Sequence, residues 1–170
     1  EDIPVVAFSV GEEELSGLDT TPLVGHLAAW NYFQSISSPV NSEFISTWKT
    51  FVNDTDRTTN DPMEAHYIGF NLWAQAVEKA GTTEVDAVLD ALPGTETPNL
   101  TGGTARVLAN HHITKPVYIG EVRANGQFDV VWQTDNLVEG DAWSDYLPVS
   151  EDTEADWVTL KCGNYNTKTE

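Results

Sequence analysis

Three short stretches carry residue types that could do chemistry. The first is Ser9-Val10-Gly11-Glu12-Glu13-Glu14. It offers a hydroxyl, a backbone that a ligand can approach closely at Gly11, and carboxylates that accept N–H groups. It also describes a turn opening a helix, with the Glu residues complementing the helix dipole, and the residues alone favour that second account. The next stretch is Asp61-Pro62-Met63-Glu64. Its two carboxylates could face a ligand. A capping box accounts for both, with Asp61 as N-cap and Glu64 three residues on, each cap being worth about 1 kcal/mol. A capping Asp can still turn its second oxygen toward a cleft. The last is Asn110-His111-His112. Neighbouring residues point to opposite faces of a strand, or lie about 100° apart on a helix. Metal sites want spacings such as i, i+4 with further ligands, and His26 and His66 supply no such pattern, so neither a metal nor a cofactor is expected.

Catalytic signatures are missing. The sequence has no G-x-S-x-G elbow, no P-loop, no G-x-G-x-x-G and no Cys–His nucleophile pattern. An enzyme such as an amidohydrolase would find neither a metal constellation nor a nucleophile here, and no enzymatic activity is expected. Charge excludes two partner classes. With 27 acidic residues against 8 Lys plus Arg, the 170-residue chain carries a formal net charge of −19. Nucleic acid binding needs a basic patch that releases counterions, and an anionic membrane surface would repel the chain as well. The acidity reads as a solubility device suited to a salty environment. Cys162 stands alone and forms no internal disulfide. No stretch approaches the roughly 18 consecutive apolar residues of a membrane span.

The elements that must position these residues follow from hydrophobic period. Ile3 to Val10 (IPVVAFSV) is a continuous apolar run, which predicts a strand buried on both faces of a parallel sheet. Val24 to Phe33 predicts a second strand. Phe44, Ile45, Trp48, Phe51 and Val52 then fall on one helical face, with Asn41 or Ser42 as cap. DPMEAHYIGFNLWAQAVEKAG predicts a largely buried helix with Pro62 in its first turn and Gly81 ending it. Thr83 is expected to cap a third helix, with the stripe Val85, Val88, Leu89 and Leu92. PVYIGEVR and FDVVWQ flank Asn125-Gly126, a hairpin signal. Two parallel strands are too few for a sheet covered on both faces, so sheet partners are expected outside the chain. It opens EDIPVV without a Met, which suggests a processed product or a fragment.

In this order the motifs resemble one family. FSVGEEEL, VGHLAAWNYF, NDPMEAHYIGFNLWAQAVEKAGTTEVDAV and NHHITKPVYIGEVRANGQFDVVW, with the tail DAWSDYLP and CGNYN, look like the urea-type substrate-binding proteins of ABC transporters. These are type I periplasmic binding proteins. The resemblance implies an α/β fold: two Rossmann-like lobes joined by three crossovers, with a small ligand in the cleft between them. It covers only the C-terminal half of such a protein, so the N-terminal strands are missing.

By that mapping residues 1–37 form a second-lobe segment, 38–112 a first-lobe segment of three helices and a strand, and 113–170 a return to the second lobe. The ligand-facing positions it implies are Ser9, Val10, Gly11 and Glu12, together with Asp61, Met63 and Glu64. Implied partners are urea or a short-chain amide, the membrane permease, and the missing N-terminal half of the same protein. The location is periplasmic or extracytoplasmic, with lipid anchoring through that missing part. An amide-responsive sensor of the same fold and a branched-chain amino-acid binder remain alternatives. With half the cleft missing, the isolated chain is expected to bind urea weakly or not at all.

Overall fold

The computed structural model describes residues 3–141, 143 and 146. The chain divides into two compact units, Glu1–Gly140 and Asp141–Glu170. In the second, the Trp143 N–H donates to Asp141 Oδ1 at 3.0 Å. Trp157 and Cys162 lie outside the described residues.

In the first unit the elements run β1 (Val6–Ala7), α1 (Glu12–Leu15), β2 (Leu27–Trp30), α2 (Pro39–Val52), α3 (Asp61–Ala80), α4 (Val85–Ala91), β3 (Glu96–Pro98), β4 (Thr104–Arg106), β5 (Tyr118–Val122) and β6 (Phe128–Gln133). Strands β1-β2-β5-β6 form a sheet in that order, while β3 and β4 pair separately. β1 is parallel to β2, and β2 to β5 and β5 to β6 are antiparallel.

The hairpin follows from Asn125-Gly126. Gly126 takes φ +74, a left-handed conformation that glycine adopts without a Cβ clash. Its N–H donates to the Arg123 carbonyl at 3.0 Å, and the Arg123 N–H donates to the Gln127 carbonyl at 2.8 Å. That turn sets the register Val122 opposite Phe128.

The first expected strand is corrected. Of Ile3 to Val10 only Val6 and Ala7 are in strand, and the run is not buried: Phe8 is 77% exposed, and Ile3, Val5 and Val6 are exposed too. β1 is the edge strand, so half of its backbone groups find no partner in the sheet.

The helix starts are corrected as well. α2 begins three residues before the expected cap: Ser38 caps it, accepting from the Asn41 N–H at 3.0 Å, with Pro39 at the first helical position. For α3 the cap is Asn60, which accepts from the Met63 N–H at 3.1 Å. Asp61 is therefore already inside the first turn, and Glu64 is not the far end of a capping box. α4 is capped at Glu84 rather than Thr83. The expectation that α3 is largely buried also fails. Glu64, Ile68, Leu72 and Ala76 form one buried stripe at spacings of four, while Tyr67, Phe70 and Trp73 are exposed on the other side. In residues 38–112 two paired strands, β3 and β4, stand where one strand was expected.

The apolar core separates into groups that follow the chain. One packs Leu15, Ala28, Phe33, Tyr118, Val122 and Phe128. The others pack Ile68 and Leu72 against Ala105 and Val107, and Ala76 against Val88 and Ala91. A seam of buried polar side chains accompanies them. The Tyr32 hydroxyl donates to Asn41 Oδ1 at 2.8 Å and lies 2.7 Å from Thr59 Oγ1, all three residues being fully buried. Burial pushes the Tyr32 phenol well above its ordinary range, so it stays a hydroxyl that can donate.

Candidate functional site

Four segments meet at one end of that seam: α1, the end of β2, the residues entering α3, and the strand approach at Lys115. They are stitched by polar contacts. Arg57 pairs with Glu13 at 3.3 Å, the Thr58 hydroxyl donates to Glu13, and Asn60 Nδ2 donates to Glu14 Oε1 at 3.2 Å. The structure thus brings the Ser9–Glu14 stretch and the Asp61–Glu64 stretch side by side.

Within α1 the local account holds for Glu14. Its Oε2 accepts from the Gly11 N–H at 2.8 Å, so Glu14 caps the short helix. Gly11 is buried, and a Cβ there would sit 3.3 Å from that same carboxylate and 3.5 Å from the Trp30 ring. Close packing accounts for the glycine, since its φ of −130 is ordinary. Ser9 is exposed, and Val10 is half-buried against the first core group.

Glu12 behaves differently. It is 1% exposed. Its Oε1 accepts from both the N–H and the hydroxyl of Ser35 at 2.8 Å, while Oε2 is buried with no partner. Burial raises its pKa, and the Ser35 hydrogen bonds offset part of that. Glu12 lines a cavity of about 350 Å³ with Thr20, Asp56, Thr58 and the 124–127 turn.

At the start of α3, Glu64 is fully buried and Lys115 pairs with both of its carboxylate oxygens. Lys115 is nearly buried too, at 12% exposed. Asp61 lines a second cavity, of about 330 Å³, with Asn31, Ala65, His112, Lys115 and Val117. Its Oδ2 is buried without a partner. Burial raises the Asp61 pKa, while Lys115 and the N–H groups of Asn31 and Tyr32 pull it down. Met63 is half-buried.

The nominated residues therefore share a neighbourhood but not a cavity, because Glu12 and Asp61 line different ones. Sequence reasoning missed Asn31, Ser35 and Lys115. No spacing signal marks Lys115, which meets Glu64 across 51 residues. A further cavity, of about 860 Å³, is a trough along α2 from Ser42 to Thr55 and touches none of the nominated residues. Among the described residues no group of three or more His, Cys, Asp and Glu could hold a metal. His111 takes φ +65 in the turn after β4, and both His111 and His112 are exposed.

The family of periplasmic binding protein domains matches residues 1–149. A leucine-binding protein from Thermotoga maritima superposes with a TM-score of 0.57 at 19% identity, covering 78% of this chain and 37% of that one. An amino acid ABC transporter substrate-binding protein from Pseudomonas fluorescens gives 0.63 at 18%, covering 78% and 37%. An ABC transporter solute-binding protein from R. palustris in complex with benzoate gives 0.64 at 14%, covering 82% and 38%. At these identities the likeness is one of fold. A curated relative, the limonene hydroxylase of Geobacillus stearothermophilus, is 29% identical over 114 residues, which are 67% of this chain and 21% of that protein. The chain thus spans about a fifth of its curated relative and well under half of these solved chains.

Proposed function

This chain belongs to the periplasmic binding protein domain family, and from that premise we propose that it is part of an extracytoplasmic solute-binding component of an ABC uptake system, binding urea or a short-chain amide over the Asp61 cavity. The protein binds and presents its ligand to a membrane permease, without a catalytic step. In this reading residues 1–37 and the described residues from 113 to 140 belong to one lobe and 38–112 to the other. The core supports that division, since its apolar groups draw on the same stretches.

One observation carries the ligand class. Asp61 has a buried oxygen, Oδ2, without a hydrogen-bond partner, while the cation that acts on it, Lys115, is engaged by Glu64. Such a site lacks a free positive group for a carboxylate ligand and favours an N–H donor. Urea presents four N–H donors and one acceptor. A matched site must satisfy all of them, because each unmatched buried polar group costs about 1–3 kcal/mol. With a ceiling of about −1.5 kcal/mol for each of urea's few heavy atoms, binding reaches a Kd of tens of micromolar at best. The other nominated residues, Ser9, Val10, Gly11 and Glu12 in the α1 stretch and Met63 and Glu64 at the start of α3, neighbour the Asp61 cavity without lining it, and Glu12 lines the separate one.

Calorimetry on the protein at the length of its solved relatives tests this, with urea, acetamide, leucine and benzoate as ligands. Saturable heat with urea or acetamide is expected. Heat with benzoate or leucine alone would reject the amide reading, and an unchanged Kd in Glu12→Ala would remove Glu12 from the site.

A further inference from the structure

The hairpin turn carries a reactive pair that ligand binding does not use. Asn125-Gly126 is the one Asn-Gly step in the chain. Glycine has no Cβ to shield its own backbone nitrogen, which follows the asparagine directly. Asn125 is exposed, and its Oδ1 accepts from the Gln127 N–H at 3.1 Å. That hydrogen bond closes a ring around the Gly126 peptide. It also sets a donor on the oxygen that gains negative charge when the side-chain carbonyl is attacked. Among the described residues no hydrogen bond holds Nδ2, the leaving group.

Two features hold the turn shut. The Gly126 N–H donates to the Arg123 carbonyl at 3.0 Å, and Gly126 is buried beside Leu15 and Thr20. The Thr20 hydroxyl donates to the Ala124 carbonyl at 2.6 Å, pinning the turn to a segment distant in sequence. The Gly126 nitrogen is therefore occupied while the turn is closed and released when it opens.

We propose that Asn125 is a site of spontaneous deamidation, gated by the hydrogen bond from Thr20 to Ala124. In the open turn the Gly126 nitrogen gives its proton to hydroxide and bonds to Asn125 Cγ. Nδ2 takes a proton from water and leaves as ammonia, closing a cyclic imide. Water then opens the ring at either carbonyl, giving aspartate or isoaspartate at position 125. Water enters and ammonia leaves, and nothing is oxidised or reduced. The product adds a carboxylate to the wall of the cavity that Glu12 and Asp56 already line. Isoaspartate also adds a methylene to the backbone of the turn that sets Val122 opposite Phe128. The proposal is independent of which ligand the protein takes.

The test is peptide mapping by mass spectrometry on the protein at the length of its solved relatives. It is kept folded in mildly alkaline buffer, and the amide-to-acid mass change is followed at each asparagine. Position 125 should convert ahead of every other asparagine of this chain, with isoaspartate among the products. Thr20→Val keeps the side-chain shape and removes the hydroxyl. It should speed conversion about fivefold, the worth of one ordinary hydrogen bond. Conversion at 125 no faster than at the other asparagines overturns the proposal. An equal rate in folded Thr20→Val overturns the gate, and the proposal with it. Should Thr20→Val not fold, low urea on the unaltered protein replaces it. Conversion at 125 should then rise in step with hydrogen exchange at the Gly126 N–H, and conversion that ignores the exchange rate overturns the proposal.

Discussion

Lys115 reaches across 51 residues to hold both oxygens of the Glu64 carboxylate. Glu64 is fully buried at the foot of α3, and Lys115 comes from the segment just before β5. The pair ties one core group to the other, because α3 packs in the Ile68–Leu72 group while β5 packs in the Phe33–Phe128 group.

Lys115→Met should therefore destabilise the fold sharply. It leaves a buried carboxylate without its cation, which costs about 3–5 kcal/mol. For a chain of this size that lowers Tm by roughly 10 °C. Removing both charges with Glu64→Leu and Lys115→Met should recover most of the loss, since apolar replacement of a buried pair is often neutral. Thermal unfolding followed by circular dichroism separates the cases. A double variant as unstable as the single one would show that packing, not the orphaned charge, sets the cost.

Glu12 gives a pH dependence with a definite sign. Burial raises its folded-state pKa above the ordinary value of 4.5. The native state then binds more protons than the unfolded one, so the contribution of Glu12 is fully present below 4.5 and is lost as pH rises through the raised value. Glu12→Gln keeps an acceptor for Ser35 and replaces the unpartnered oxygen with a neutral donor. Its Tm relative to the unaltered protein should improve as pH goes from about 5 to 8. A difference that is flat in pH would contradict the burial account.

Gly120→Ala tests packing inside the sheet. Gly120 has no positive φ. A Cβ there would lie 2.9 Å from Phe128 Cδ1 and 3.1 Å from Phe33 Cε2, in the contact where the two rings pack tilted at 32° with centroids 4.5 Å apart. Overpacking of this kind costs about 1–3 kcal/mol, a Tm drop of several degrees. Shrinking the neighbour with Phe128→Leu should restore part of it, a coupling measurable by a double-mutant cycle. Strict additivity of the two losses would show that the rings already leave room.

Several features were legible from spacing because they are local. Asn125-Gly126 specifies a turn, since glycine alone among common residues enters the left-handed region freely. The length and end of α3 were legible because Gly81, at φ +68, terminates it as a helix-stopping glycine does. Cap positions were missed by one to three residues, because Ser38, Asn60 and Asp61 are all competent caps and the choice between neighbours depends on what each side chain touches. Asp61 and Glu64 illustrate this. The spacing of two carboxylates fits a capping box, yet Asn60 takes the cap, Glu64 turns inward to Lys115, and Asp61 is left facing a cavity.

The sequence by itself determined the charge balance, the elements along the chain, the hairpin, and the resemblance to one family, all properties of residues near one another or of composition. Tertiary structure decided which carboxylates share a cavity and which are paired. It set Glu12 against Ser35, set Glu64 against Lys115, and left the Ile3–Phe8 run on an exposed edge. The reason is that a local pattern constrains dihedrals within a few residues, whereas burial and charge pairing depend on partners 23 and 51 residues away. Ser9 to Glu14 and Asp61 to Glu64 could be nominated from their types. Only the fold could place the first beside the second and show that Asp61 keeps an oxygen free.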